Sequence, residues 1–314
     1  MKSLLILRHL KVENANAIAG MTYGFPAMTH FLGFTHALSR KLEAAYGLRL
    51  GGCAVVCHRH QLLTHRSSAY ADTVFSLSRN PVLKDGSSSS FVEEGKMHLQ
   101  LTLILECEFD SDDFNFGGDG YEQDVGILLD WVSKTAVTQR LAGGVITGMG
   151  SVEYQMPEQE DKAQRKLMLS LLPGFALTEK SSALHQHWAA LREQTPEAEI
   201  LDAWLDFFSI RHACRQESNP AEPEKEIVVW EQMPRPAGGW LVPLMLGYKA
   251  ISPLYDNADV NDTRDAETPF RLTEPVYSVG EWLSPHRVGH IEELLWRYQH
   301  QGDWYLCKNE INAE

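Results

Sequence analysis

The segment CAVVCHRH at residues 53–60 packs two cysteines and two histidines into eight positions, a density that first suggests a metal site. Val55 and Val56 are β-branched and follow Gly51-Gly52, so the run reads as a strand. Along a strand Cys53 and Cys57 share a face but stand roughly 13 Å apart. Two thiolates on one zinc, each about 2.3 Å from the metal, lie within about 4.6 Å of each other. His58 and His60 are expected on the face opposite Cys57. No four-ligand site assembles locally, and no metal or cofactor is expected. The cysteines read as small core residues. That leaves His58, Arg59 and His60 at the strand's exit, where polar side chains can reach a ligand.

Other catalytic patterns are missing from the chain. There is no GxSxG elbow, no GxxxxGK[ST] phosphate loop and no GxGxxG fingerprint. Two histidines can cleave RNA without metal, one as base and one as acid, and His58, His60, His98 and His286 are the candidates.

Several short stretches suit single-stranded RNA, which is held by cations on phosphates, by exposed amides at glycine turns and by aromatic stacking. YGFP offers Tyr23 and Phe25 on either side of Gly24, just before a helix start; the same residues also suit a hydrophobic staple. SRNP places Arg79 and Asn80 in a long loop. RLAGG sets Arg140 ahead of Gly143 and Gly144, where backbone can approach a phosphate or simply cap a helix. SPHR puts His286 and Arg287 in a first helical turn, where the macrodipole disfavours cations unless an anion is near. Glu281 or a phosphate would serve as that anion. Trp282 can stack on a base or fill the core.

These groups must be positioned by a scaffold that the hydrophobic pattern outlines. LLILRHLKV (4–12) reads as a strand. Phe31, Phe34, Leu38 and Leu42 recur at helical spacing within about 27–46, before Gly47. After the 53–60 strand comes an irregular stretch, 61–90. MHLQLTLIL (97–105) alternates, with His98, Gln100 and Thr102 on the polar side, the sheet face that could carry a ligand. A second helix over about 121–140 and a strand from 144 complete β-α-β-β-α-β, the order of the ferredoxin-like unit, so the expected class is α+β. Helices are expected near 160–172 and 181–211, then a polar linker over 216–226. Short strands over 227–280 precede a last helix over about 285–300. The expected organisation is a core at 1–150 with a projecting insertion at 61–90, a mainly helical segment at 151–226, and an irregular segment with a C-terminal helix at 227–314.

Charge is unevenly spread. The net charge is −14, yet residues 1–105 carry +5 and seven of the 13 histidines, while 106–230 carry −13 and 231–314 carry −6. Such asymmetry suits a polyanion on one surface and basic protein partners on another. Five cysteines without a framework pattern read as reduced thiols of a cytoplasmic protein. No stretch reaches the about 18 apolar residues of a membrane span.

Taken together, the stretches resemble a known family. ENANA (13–17), YGFP (23–26), VVCHR (55–59), SRNP (78–81), RLAGG (140–144), LLPGFAL (171–177), GWLVP (239–243) and EWLSPHR (281–287) occur in an order similar to that of the Csy-two, or type I-F, version of the Cas-five family of CRISPR surveillance-complex subunits. The resemblance implies an RNA-recognition-like (RAMP) ferredoxin fold with a projecting thumb, and a noncatalytic role. It implies that the chain holds the 5′ handle of the CRISPR RNA, pairs with the large Csy subunit and abuts an adjacent backbone subunit in antiviral defence. Target DNA would be met only through the assembled complex, by guide pairing and by the large subunit. The alternative is a CRISPR-RNA-processing endoribonuclease of the same fold. The RNA-binding candidates are Tyr23, Gly24, Phe25, His58, Arg59, His60, Arg79, Asn80, Arg140, Gly143, Gly144, Trp282, His286 and Arg287.

Overall fold

A computed structural model of the chain describes residues 3–79, 81–92, 94–114, 118–156, 161–219, 222–263, 265 and 267–309. The fold is α+β, with a large antiparallel sheet and five α-helices among the described residues. Two compact units are present, one formed by Met1–Thr178, Leu244–Tyr277 and Leu283–Glu314, the other by Glu179–Pro243 and Ser278–Trp282.

The first unit is built on β1 (Leu4–Asn16), α1 (Met28–Tyr46), β2 (Leu50–Leu62), β3 (Lys96–Cys107), α2 (Tyr121–Ala136) and β4 (Gly144–Gly148). The four strands lie in the order β4-β1-β3-β2, all antiparallel, with β5 (Val152–Gln155) also paired to β1. Helix α1 forms where the sequence indicates. Its buried residues, among them Phe31, Phe34, Leu38 and Leu42, fall on one stripe, and Gly47 ends it in the left-handed region at φ 72°, donating its N–H to Glu43. Helix α2 stops at Ala136, earlier than expected, because Arg140–Leu141 turns back to pair with β4.

Leu101, Leu103 and Leu105 of β3 lie opposite Cys57, Val55 and Cys53 of β2. The other face carries Leu4, Ile6, Ala54, Val56 and Ile104, which pack against Leu167 and Met168 of α3 (Asp161–Ser170), together with Ile291, Leu294 and Leu295.

The expected C-terminal helix is replaced by two 3-10 turns, Pro285–Arg287 and Ile291–Leu294, and a strand. The reason is Trp296. Its backbone exchanges two hydrogen bonds with Cys53 at 2.8 and 2.9 Å, and its indole donates to Leu177 O at 2.9 Å. Pinned to the sheet, the segment cannot continue as a helix.

The second unit packs α4 (Ser181–Gln194) and α5 (Ile200–Phe208) around Leu184, Ala203, Phe207, Leu241 and Val279. Glu199 and Asp202 form a capping box that starts α5. The described residues of the polar stretch expected as a linker, 216–219 and 222–226, instead lie in a hairpin of His212–Asn219 with Glu222–Gln232.

Candidate nucleic-acid interface

The face of β3 bearing Thr102 changes character along its length. Ile104 lies between Ile6 and Ala54 in the covered apolar half. Past Thr102 the row turns polar: Gln100 lies between Lys11 of β1 and Arg59 of β2, His98 opposite Gln61, and Lys96 opposite Asn16. Lys11, Arg59 and Gln61 are exposed, while Gln100 and His98 are half-buried. Among the described residues, neither the Lys11 ammonium nor the Arg59 guanidinium has a hydrogen bond or ion pair.

Bulges create this change. The β1–β3 register slips between Leu7 and Leu10 and again between Val12 and Ala15, with His9 and Asn14 in the left-handed region at φ 52° and 56°. Side chains of β3 take up the displaced amides: His9 N–H donates to Thr102 Oγ1 at 3.3 Å, and Asn14 N–H to His98 Nδ1 at 3.2 Å. In β2 the register slips between Cys57 and Arg59. The bulge overturns the expectation that His58 and His60 share a face. His58 turns to Thr102, whereas His60 comes opposite Leu99, on the other face from Gln100.

His58 is held as a neutral imidazole. Its Nδ1 donates to Pro173 O at 2.6 Å, and its Nε2 accepts from Thr102 Oγ1 at 2.8 Å. Burial pushes its pKa below the ordinary value, against the raising effect of the Pro173 carbonyl; His9 and Arg8 lower it further. The His9 ring lies 4.6 Å away at 47°. Beside them Arg8 makes a two-pronged pair with Glu153, at 2.5 and 3.0 Å, and donates to Ser170 O and Oγ, each at 3.1 Å. The Arg8 hydrogen bonds hold the Glu153 carboxyl below its usual pKa.

Several candidates from distant parts of the sequence gather at this end of the first unit. The turn holding Tyr23 and Gly24 follows directly on β1, with Gly24 N–H donating to Ala17 O at 2.8 Å. Tyr23 is 72% exposed and meets Phe75 edge-on at 6.0 Å. Phe75 belongs to a small hairpin, Thr64–Arg66 with Thr73–Phe75, within the expected 61–90 insertion. Phe25 instead stacks on Phe31 of α1 at 5.6 Å. Arg79 lies 4.0 Å over the Phe91 ring; Asn80 lies outside the described residues.

The RLAGG turn docks on the same end, with Asn16 N–H donating to Ala142 O at 2.8 Å. Arg140 donates to Gly143 O at 3.1 Å. Gly143 needs its φ of 77°, and a Cβ on Gly144 would stand 2.6 Å from Glu13 O. The close approach that Gly144 permits is to the backbone of β1.

The remaining candidates lie elsewhere. His286 and Arg287 sit on the Pro285–Arg287 turn beside α3, with the layer that covers the apolar half. His286 Nδ1 and Ser284 Oγ are 2.8 Å apart. Trp282 belongs to the second unit, with its ring 6.2 Å from that of Trp240. Lys11 and Gln100 were missed as candidates. The alternation of β3 pointed to Gln100, but only the strand register brings Lys11 to it.

Cys53 and Cys57 are buried, and burial pushes both thiols up to about 12. Among the described residues no group of three or more His, Cys, Asp or Glu is arranged to hold a metal ion, and no helix is long and apolar enough to cross a membrane.

Comparison with known proteins gives two results. The family model described as CRISPR-associated protein (Cas_Csy2) matches residues 5–307. A protein of Pseudomonas aeruginosa (strain UCBPP-PA14), named CRISPR-associated protein Csy2, is 38% identical over 315 aligned residues, covering 96% of this chain and 93% of that protein. Matched by the family model over residues 5–307 and by a relative 38% identical over 96% of its length, the chain belongs to the Csy2 family of CRISPR-associated proteins.

Proposed function

We propose that this chain is a noncatalytic subunit of a type I-F CRISPR RNA-guided surveillance complex, and that it holds the 5′ handle of the CRISPR RNA on the polar half of its sheet. The observation that carries this is the row Lys11–Gln100–Arg59, two cations without a partner among the described residues that flank an amide on the polar half of the sheet face. Cations grip phosphates, the amide offers both a donor and an acceptor, and exposed Tyr23 supplies a stacking surface at the same end. The strand order β4-β1-β3-β2 supports a ferredoxin-like, RAMP-type core, with the 61–90 insertion as its thumb. In that arrangement the large Csy subunit and an adjacent backbone subunit are the protein partners, and the acidic remainder of the chain suits basic surfaces on them.

Holding is favoured over cutting by the state of His58. Both ring nitrogens are engaged, so neither is free to take or give a proton at a phosphodiester. Purified assemblies carrying Lys11→Ala and Arg59→Ala test the proposal. Each change is expected to weaken handle binding about tenfold, in line with the loss of one charge-assisted contact, and to flatten the log affinity against log salt slope by about 0.7. Repeat RNA incubated with the wild-type chain without metal is expected to stay intact. A discrete cleavage product lost on His58→Ala would instead establish the endoribonuclease.

A further inference from the structure

The hairpin of the second unit is the largest feature that the handle-binding role leaves unexplained. Its strands, β6 (His212–Asn219) and β7 (Glu222–Gln232), form a separate two-stranded sheet, paired only with each other. Both outer edges therefore carry unpaired backbone groups among the described residues, and an isolated hairpin is marginal in water unless another surface packs on it. The two faces differ. On one, Arg215, opposite Val229, forms an ion pair at 3.4 Å with its diagonal neighbour Glu231, which lies opposite Ala213. On the other, the cross-strand pairs are His212 with Gln232, Cys214 with Trp230, and Gln216 with Val228. Around Trp230 these pairs hold no Lys, Arg, Asp or Glu, and Glu226 follows on the same face beyond Val228; Trp230 is 66% exposed and Val228 56%. An exposed Trp surrounded by uncharged neighbours is the composition of an interface hot spot.

We infer that this face docks into a second protein chain, one that offers an apolar pocket for the Trp230 indole with Lys or Arg at its rim. Charge selects the occupant. Residues 217–226 hold four glutamates and one lysine, a net of −3. An acidic stretch of sequence next to this face repels RNA and attracts a basic protein rim. The inference rests on the chain's being a subunit of an assembly and names a surface through which it joins one.

Cys214 makes the test direct. It is the only exposed cysteine of the five and is the cross-strand neighbour of Trp230. The chain is co-expressed with the other Csy subunits and a CRISPR RNA, and the purified assembly is treated with N-ethylmaleimide. Modification of Cys214 is followed by mass spectrometry, against the same chain without its partners and against that chain with CRISPR RNA alone. In the assembly Cys214 is expected to react at least tenfold more slowly, with RNA alone giving no protection. Trp230→Ala, a change at an exposed position, is expected to restore the rate or to reduce recovery of the assembly. Equal rates in all samples, or protection by RNA alone, would overturn the inference. RNA retention in the Lys11→Ala and Arg59→Ala assemblies is measured separately, so failure of handle binding is distinguishable from failure of hairpin docking.

Discussion

One face of the central sheet has two halves that meet at Thr102. On the Ile104 side the face is apolar and covered; on the Gln100 side it is polar and bare. The strands are the same, and the halves differ in the identity of the outward residues and in the slips beside His9, Asn14 and His58. Burial on the covered half is what makes the scaffold stable. The bare half contributes little to stability, so its cations are free for a ligand. On the proposed reading, fold and function occupy the same strands without competing.

The comparison can be broken most sharply by truncation on each side. Ile104→Ala should cost about 2–5 kcal/mol, as a buried large-to-small change does. Arg59→Ala should stay within about 0.5 kcal/mol. Urea denaturation with both variants would read the contrast, and similar losses would erase the distinction between the halves. The next largest effect is on RNA. A Lys11→Ala/Arg59→Ala double variant should lose handle affinity about a hundredfold if the two contacts add, with its unfolding midpoint unchanged.

The RLAGG turn sharpens the same point at the sheet's margin. Gly144→Ala should destabilise by about 1–3 kcal/mol, because its Cβ meets the β1 backbone. Gly143→Ala meets nothing within 4 Å and should cost only the left-handed strain, about 1 kcal/mol. Thermal melts of the two variants would rank them.

Smaller effects come from the Arg8–His58 border. Arg8→Ala should cost about 1 kcal/mol, given the partial exposure of its pair with Glu153. Glu153 has a depressed folded pKa, so its contribution is present above its unfolded value and is lost as pH falls; Arg8→Ala should flatten that acid limb. His58 is also depressed. Its neutral form is favoured by folding, so the contribution is full above about 6.5, the unfolded value, and fades as pH drops further. His58→Asn should therefore reduce the pH dependence of the melting temperature in that window. A steeper dependence would mean the imidazole is charged in the folded chain.

Much of this scaffold could be read from residue order. The stripe Phe31, Phe34, Leu38, Leu42 and the alternation of 97–105 each produced the element they indicate, because local periodicity matched burial. The segment after Ser284-Pro285 misled for a tertiary reason. Its helical start signal is local, while the Trp296–Cys53 bridge that overrides it spans most of the chain. The polar stretch 216–226 misled through composition, since charged residues on a hairpin resemble those of a linker. At the candidate site, His58 and Arg59 stood out as polar residues after the apolar run 53–57, although β2 continues past them to Leu62. The bulge that sends His60 to the other face, and the approach of Lys11 to Gln100, depend on register, which no single stretch encodes.

The most direct test is photocrosslinking of an assembled complex whose CRISPR RNA carries 4-thiouridine in its 5′ handle. Crosslinks to this chain are expected within 8–14, 20–25, 57–61 and 98–102. Crosslinks confined to 179–243, or found only on other subunits, would contradict a handle held on the bare half of the sheet.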